Sequence, residues 1–187
     1  MRKEFYISKR SFPSLLTDRF VILSDYVDCH KAESLISRIN EMAADDSKDP
    51  IIMIFDCEGV TRKFCFKLFN EIKRCNGTVD IHGFVVGKCF GAGLVVLQAC
   101  KTRVSVFAGV FILKENNSFQ SGGWQRRNGS DEANEKAKRI IMERSRLGEG
   151  RYAELITKEG VFDREFSAIE ALEFGLIDRI SNDFGEF

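Results

Sequence analysis

The sequence predicts an α/β fold built from parallel β-α-β units, and two observations indicate this class. Residues 51–55, Ile-Ile-Met-Ile-Phe, form a continuous apolar run, which is typical of a parallel strand buried on both faces. The segments before and after this run carry apolar residues at helical spacing, so strands and helices alternate. At 187 residues, of which 44% are hydrophobic, the chain has the size of one domain, and we predict a single domain over residues 1–187.

The first half of the chain supplies three predicted strands and two predicted helices. The predicted strands are residues 19–23, 51–55 and 81–86. Residues 45–50 end the first helix, and Asn76-Gly77 marks a turn after the second. Each helix has one apolar face that can cover the sheet. The residues of these faces are Ala32, Leu35, Ile36, Ile39, Met42 and Ala43 in the first helix and Phe64, Leu68, Phe69 and Ile72 in the second.

Two further strands are predicted at residues 104–107 and 110–113. Residues 116–129 are polar and predict a loop, and residues 130 to about 156 predict one long helix, weakly interrupted at residues 148–150. The apolar stripe of this helix is narrow, which fits packing against another element or subunit but also fits a solvated surface helix. The stripe consists of Ala133, Ala137, Ile140 and Ile141.

The C-terminal region carries the signals of a short, capped helix. Ser167 and Glu170 have the spacing of a capping box, in which each side chain accepts a hydrogen bond from the other's backbone amide. Gly175 is placed to end this helix as its C′ residue. Residues 176–180 predict a closing strand.

Charge and cysteine usage argue against several classes of function. The 28 basic and 28 acidic residues balance, so the overall charge favours neither a nucleic acid nor a membrane as partner. The six cysteines form no CxxC pair and only two histidines accompany them, so we expect no metal, no cofactor and free thiols. Free thiols, together with the lack of a long apolar segment, indicate the cytoplasm or a reducing organelle interior.

The stretch Gly87-Lys88-Cys89-Phe90-Gly91-Ala92-Gly93 lies between a strand predicted to end at Gly87 and a helix predicted to begin near Gly91. Such a turn directs free backbone amides and a helix N-terminus at one point, where they can hold a phosphate or stabilise an oxyanion. The phosphate motifs are absent, because Leu94-Val95 replaces the P-loop Lys-Ser and the spacing GxxxGxG is not GxGxxG. Two interpretations remain: an oxyanion corner with Gly91 at its tip, or close packing of the helix on the sheet.

Five sequence patterns follow one another in order, at residues 11–28, 32–51, 55–60, 87–94 and 166–178. In this order they resemble the proteolytic subunit of the Clp protease, ClpP, a family of the ClpP/crotonase superfamily. Residues 55–60, Phe-Asp-Cys-Glu-Gly-Val, stand where the family has Ile-Asn-Ser-Pro-Gly-Gly. Residues 87–94 stand where it has Gly-Gln-Ala-Ala-Ser-Met-Gly-Ala. The resemblance implies the ClpP/crotonase-type spiral of β-β-α repeats with a protruding handle helix.

The resemblance also implies an active site whose nucleophile and base are replaced. The family's serine falls on Gly91, its histidine on about Lys114, to within one or two residues, and its aspartate on Asp163, which is retained. The two amides of its oxyanion hole fall on Ala92 and on Val60, where valine reaches fewer backbone conformations than glycine and is expected to alter the hole. Neither Gly91 nor Lys114 can take over the lost role, so the resemblance predicts an inactive serine peptidase homologue.

The family's assembly implies the partners of this chain. Its subunits form seven-membered rings that stack through a handle loop and helix, here about residues 116–150. Its N-terminal segment, here residues 1–18, guards the axial pore and meets a Clp-type ATPase. We therefore expect a homo-oligomer, or a hetero-oligomer with ClpP-like subunits, and a Clp-type ATPase as a further partner. A polypeptide is the implied ligand, and the sequence leaves open whether it is cut.

Two other functions stay open on the sequence. A displaced cysteine, Cys89 or Cys57, is an alternative nucleophile, although His82 lies too far back on its strand to activate Cys89. The second alternative is a crotonase-like enzyme that binds acyl-CoA, because the glycine pattern also resembles enoyl-CoA hydratases. One of the two glutamates of that family matches Glu115, and the other falls on Val95, which breaks the acid–base pair.

Overall fold

The computed structural model of the protein describes residues 19–114, 129–156 and 165–183. The described chain forms seven strands and six helices that alternate along most of its length. The strands are β1 (Phe20–Val27), β2 (Ile51–Val60), β3 (Ile81–Phe90), β4 (Arg103–Ser105), β5 (Val110–Ile112), β6 (Phe166–Ser167) and β7 (Arg179–Ile180). The helices are α1 (Cys29–Ala44), α2 (Arg62–Cys75), α3 (Ala92–Leu97), α4 (Gly129–Glu143), α5 (Glu149–Leu155) and α6 (Ala168–Glu173).

All seven strands belong to one sheet, in the order β1-β2-β3-β4-β7, with β5 paired to β3 and β6 paired to β5. Every pairing is parallel except that of β5 with β6. Helices α1, α2 and α3 supply buried apolar residues to the main core, which they share with one face of the sheet. The α/β fold with a parallel sheet that the sequence predicts is therefore confirmed.

The continuous apolar run of the sequence lies in β2, at the centre of the core. Met53 and Phe55 are fully buried within the main core, and Ile54 packs with Phe84 in a smaller cluster of the same sheet. A strand with apolar contacts on both of its faces needs apolar residues at consecutive positions, which is why the run does not alternate. The position of β2 between β1 and β3 thus follows from its composition.

The third strand is longer than the sequence indicates. It continues past Gly87 to Phe90, because residues 88–90 pair with β5 after residues 83–85 have paired with β4. This pairing with a distant segment keeps the chain extended beyond Gly87, where the strand was predicted to end. The turn into α3 therefore contains one residue, Gly91.

The prediction of one long helix at residues 130 to 156 is wrong in one respect. The segment forms two helices, α4 and α5, which are separated at residues 144–148. Tertiary hydrogen bonds replace helical ones in this break. The amide of Arg146 donates to the carbonyl of Phe174 at 2.7 Å, and the carbonyl of Arg144 accepts from Arg103 Nη1 at 2.8 Å. The break therefore begins at Arg144, ahead of the predicted interruption at residues 148–150, where the chain is bonded to the rest of the fold.

The apolar stripe of α4 packs within the same chain. Ala137, Ile140 and Ile141 are buried in the main core, and Ala133 is half-buried. The stripe thus needs no second subunit to cover it, which decides between the two interpretations of the sequence for these three residues. The predicted handle loop at residues 116–128 and the N-terminal segment at residues 1–18 lie outside the described residues.

The predicted capping signals near the C-terminus are confirmed. Ser167 Oγ accepts from the amide of Glu170 at 3.3 Å, and Glu170 Oε2 accepts from the amide of Ser167 at 2.8 Å. Gly175 has φ of +70°, and a Cβ atom there would lie 3.1 Å from the backbone nitrogen of Arg146. The short α6 is therefore held at both ends by the residues that the sequence indicates.

Candidate active-site corner

The turn after β3 has the backbone conformation of a nucleophile elbow. Gly91 joins β3 directly to α3, with φ of 51° and ψ of −114°, a region that glycine enters without the strain that a side chain brings. Its amide donates to the carbonyl of Ile112 at 2.9 Å, and its carbonyl accepts from Leu94 at 3.1 Å. A sharp strand-to-helix turn of this kind presents the residue at its tip to a site above the sheet.

The amide of Ala92, the first predicted oxyanion donor, begins α3. The first amides of a helix have no acceptor within the helix, and the described residues provide no backbone acceptor for the amide of Ala92. Ala92 itself is buried, so a negative atom at the tip of the turn would meet this donor in a poorly solvated place.

The amide of Val60, the second predicted donor, ends β2. The next amide, that of Thr61, donates to Val27 on β1 at 2.9 Å, and successive strand amides point to opposite sides. The amide of Val60 is therefore directed away from β1, towards the side of β3, beyond the last β2–β3 pair at Cys57 and Cys89. Both predicted donors thus lie where β2 and β3 end.

Valine at position 60 causes no backbone strain. The positive φ of this corner, 153°, belongs to Gly59, and the only described non-glycine residue with a positive φ is Asp25. Val60 continues β2 as ordinary extended backbone with a buried side chain. Valine is therefore compatible with the extended backbone at position 60.

The predicted base position, Lys114, lies close to the elbow in the topology. It follows by two residues Ile112, whose carbonyl binds the amide of Gly91, so both positions come at neighbouring strand ends. The Lys114 side chain is exposed at a small cavity between α4 and α5. The cavity is also lined by Asn134, Glu135, Ala137, Lys138, Tyr152 and Ile156.

The remaining sequence-predicted positions divide into those outside the described residues and those that do not join the corner. Asp163 and Glu115 lie outside the described residues. Val95 is buried in α3 as an apolar core residue. His82 lies near the start of β3, about 26 Å from Phe90 at the spacing of an extended strand, and burial lowers its pKa.

The two cysteines considered as nucleophiles are packed beneath the corner. Cys57 and Cys89 face each other across β2 and β3, and both are fully buried. Burial, and then the hydrogen bond and charge of Cys57, raise the pKa of the Cys89 thiol well above its usual range. Because the thiolate is the reactive form, this environment makes Cys89 a structural thiol.

The other two glycines of the turn have packing roles. A Cβ atom at Gly93 would lie 2.4 Å from Cys57 Sγ, and one at Gly87 would lie 2.3 Å from a carboxylate oxygen of Asp56. The close-packing interpretation of the glycine-rich stretch therefore applies at Gly93, and the sharp turn that the oxyanion interpretation requires is present at Gly91. Gly91 forms the elbow, and Gly93 lets α3 approach the sheet.

Three charged residues at this corner were missed by the sequence analysis. Lys88 Nζ and Glu58 Oε1 form an ion pair of 2.8 Å between β3 and β2, and the hydrogen bond and charge of Lys88 lower the pKa of Glu58. The third residue, Arg62, begins α2 two residues after Val60. Their signal in the sequence is weak, since isolated charges at strand ends are usually solvated surface groups.

The described residues provide neither a membrane-spanning helix nor a metal site. No described helix is long and apolar enough to cross a bilayer. No group of three or more His, Cys, Asp or Glu side chains in the described ranges is placed to hold a metal ion.

Comparison with known proteins relates this fold to peptidases. The family model of the Clp protease matches residues 3–183. A crystal structure of an enzyme superposes with a TM-score of 0.73 at 20% sequence identity, covering 90% of this chain and 98% of that chain. A peptidase from Plasmodium falciparum superposes with a TM-score of 0.70, also at 20% identity and with the same coverage. At this identity the two structures establish a shared fold.

Proposed function

The chain belongs to the Clp protease family, and we propose that it is a ring-forming ClpP-like subunit that does not cut peptide bonds by the family's serine mechanism. One observation carries this proposal: Gly91 occupies the tip of an intact elbow. The backbone that would present a nucleophile is kept, while the residue presented has no side chain. A glycine cannot form an acyl-enzyme, whatever base lies nearby.

The rest of the corner supports a ligand site that has lost its chemistry. The amide of Ala92 lacks a backbone acceptor within the described residues, and the amide of Val60 is directed to the same strand ends. The resemblance puts the family's base at about Lys114, to within one or two residues, and Asp163 is proposed as the retained acid. A site of this kind can still bind a peptide carbonyl, because the proposed oxyanion donors are backbone groups that do not depend on the nucleophile.

The two alternative activities have less support. A cysteine peptidase would need a reactive thiolate, whereas Cys89 is fully buried with a raised pKa. A crotonase-like hydratase would need a second glutamate where the buried Val95 lies. Neither alternative therefore has the side chain that its reaction requires at the described positions.

The proposed assembly is a ring, either of this chain alone or mixed with active ClpP-like subunits. The buried stripe of α4 is used within the chain, so contacts between rings would involve the earlier part of the handle region, about residues 116–136. Residues 1–18 are proposed to meet a Clp-type ATPase. The free cysteines, five of them buried, suit the cytoplasm or a reducing organelle interior.

Native mass and peptidase activity, measured on the same purified particle, test this proposal. We expect a particle several times heavier than the 21.3 kDa chain, no hydrolysis of fluorogenic peptides, and no labelling by a fluorophosphonate probe. Hydrolysis that co-elutes with the particle would contradict the lack of activity, and its loss in Cys89→Ala would point to the cysteine mechanism. Thermal stabilisation by acyl-CoA would support the crotonase alternative. A chain that stays monomeric alone and when co-expressed with an active ClpP-like subunit would contradict ring formation.

A further inference from the structure

Strand β3 contains a register step shortly before the elbow. Phe55 of β2 pairs with Val85 of β3, and the next pair in the register joins Cys57 to Cys89. Two positions along β2 therefore correspond to four along β3, so β3 bulges over two additional residues. On its other side, β3 passes at the same point from pairing with β4 to pairing with β5. The step thus lies where β3 exchanges one neighbouring strand for another.

Asp56 spans the register step with its side chain. It is the β2 residue inside the step and has no partner residue in the β2–β3 register. Its Oδ1 accepts instead from the amide of Lys88 at 2.9 Å. A Cβ atom at Gly87 would lie 2.3 Å from the same oxygen, so the carboxylate fills the space beside the bulge. A side-chain acceptor therefore replaces the ladder bond that the bulge interrupts.

A second carboxylate of β2 reaches Lys88 but holds a different part of it. Glu58 Oε1 lies 2.8 Å from Lys88 Nζ, and both side chains are exposed. An exposed ion pair of this kind contributes little to stability, because water screens the two charges. Glu58 holds the mobile end of a lysine side chain, whereas Asp56 holds its backbone. The path of β3 through the step thus depends on Asp56.

The backbone that Asp56 holds leads directly to the proposed oxyanion donor. Lys88 lies four residues before Ala92, and no loop intervenes, since β3 continues to Phe90 and Gly91 is the whole turn. Bulges next to binding and catalytic sites commonly redirect the residues that follow them. The geometry of the step therefore determines where the amide of Ala92 is presented.

On the premise of the proposed function, in which the corner holds a peptide carbonyl on backbone amides, we propose that Asp56 is a positioning residue of this site. It fixes the register step through the amide of Lys88 and thereby places the amide of Ala92. Its role requires an acceptor oxygen and not a negative charge, because the side-chain oxygen of asparagine can accept the same bond.

Hydrogen–deuterium exchange of the native particle, resolved to single residues by mass spectrometry, tests this role. In Asp56→Ala the amides of residues 88–91 should exchange about fivefold faster, because the loss of one hydrogen bond makes local opening easier. Residues 81–85, which precede the step, are the internal reference and should keep their wild-type rates. A substitution that only weakened the whole fold would instead speed up both segments alike.

Three further variants separate the hydrogen bond from charge and from crowding. Asp56→Asn should stay within about twofold of the wild-type rates, since it keeps the acceptor. Glu58→Gln is the matched control, because it removes a carboxylate charge two residues away on the same strand and leaves the bond of Asp56 in place. Gly87→Ala should reproduce the faster exchange of Asp56→Ala, because its Cβ would displace the Asp56 carboxylate from the amide of Lys88.

Fluorescence anisotropy with a labelled hexapeptide of alanine and leucine connects this position to the ligand. The wild type, Asp56→Asn and Glu58→Gln should bind this peptide equally, and Asp56→Ala should bind it about fivefold more weakly. Wild-type affinity in Asp56→Ala would overturn the proposal. Unchanged exchange at residues 88–91 in Asp56→Ala, or equally fast exchange in Asp56→Asn, would also overturn it. Lack of binding by the wild type would count against the proposed ligand of the corner, and the exchange rates would then decide the role of Asp56 by themselves.

Discussion

The amide of Gly91 donates a 2.9 Å hydrogen bond to the carbonyl of Ile112, which ties the turn after β3 to β5. This bond lies outside α3 and therefore fixes the elbow by tertiary contact. It also brings the strand that leads to Lys114 next to the tip of the turn. The frame of the candidate site is thus held by backbone pairing, which does not depend on side chains at the tip of the turn.

Gly91→Ser is expected to add a hydroxyl at the elbow without creating a peptidase. The φ of 51° with ψ of −114° disfavours any side chain, so the free energy of unfolding should fall by about 1–3 kcal/mol. Gly91→Ala is the matched control and should lose a similar amount. Urea denaturation and hydrolysis of a fluorogenic peptide measure the two effects. Activity in Gly91→Ser alone would mean that a base other than histidine serves this site.

Gly93→Ala is expected to destabilise the protein because its Cβ would lie 2.4 Å from Cys57 Sγ. We expect a loss of about 1–3 kcal/mol from overpacking, which exceeds the gain of about 1 kcal/mol that alanine brings to a helix. Cys57→Ala removes the clashing sulfur, so the double variant should recover much of the loss caused by Gly93→Ala. Denaturant midpoints of the four proteins form a double-mutant cycle, and additive effects would contradict the contact.

The elements with strong periodicity were predictable from the sequence, and those shaped by distant contacts were not. Strand β2 and helices α1 and α2 follow from apolar runs and helical spacing within single segments. The extension of β3 to Phe90 depends on pairing with β5, and the break after Glu143 depends on the bond from Arg146 to Phe174. No local pattern encodes these bonds, so propensity alone misplaces both boundaries.

The same distinction holds for the site. Gly91 as the tip of the turn could be predicted, because its position between a strand and a helix is local information. The ion pair between Lys88 and Glu58 could not, since it depends on the register in which β2 and β3 pair. The acid position, Asp163, remains a prediction because it lies outside the described residues.

Thiol labelling should distinguish Cys29 from the other five cysteines. Cys29 is exposed, whereas the others are buried, and burial raises the pKa of Cys65 and of Cys100 to about 12. Iodoacetamide at pH 7.5 should therefore modify one cysteine rapidly in the native protein and six after denaturation. Peptide mass spectrometry identifies the labelled residue. Rapid modification of native Cys89 would contradict its structural role and would support the cysteine peptidase mechanism.

Asp178→Asn should weaken the fold and flatten its dependence on acid pH. Arg103 binds Asp178 through Nε at 3.1 Å and Nη2 at 2.5 Å. Burial alone would raise the pKa of Asp178, but the hydrogen bonds and charge of Arg103 outweigh it and hold the pKa below the ordinary value of 3.8. A lowered pKa stabilises the folded state above about pH 4, and this stabilisation is lost as the pH falls through the folded-state pKa.

Urea midpoints between pH 7 and pH 3 measure this effect. The wild type should lose stability steeply below about pH 4, whereas Asp178→Asn should start lower at pH 7 and decline less, because the linked proton is absent. The loss at pH 7 should be about 2 kcal/mol, less than for a fully buried pair, since Asp178 is partly exposed and the buried Arg103 loses its carboxylate but keeps Gln98 and the carbonyl of Arg144 as acceptors. Asp80→Asn breaks the exposed pair with Lys101 and should keep the wild-type profile. Parallel profiles for the wild type and Asp178→Asn would mean that other carboxylates govern the acid transition.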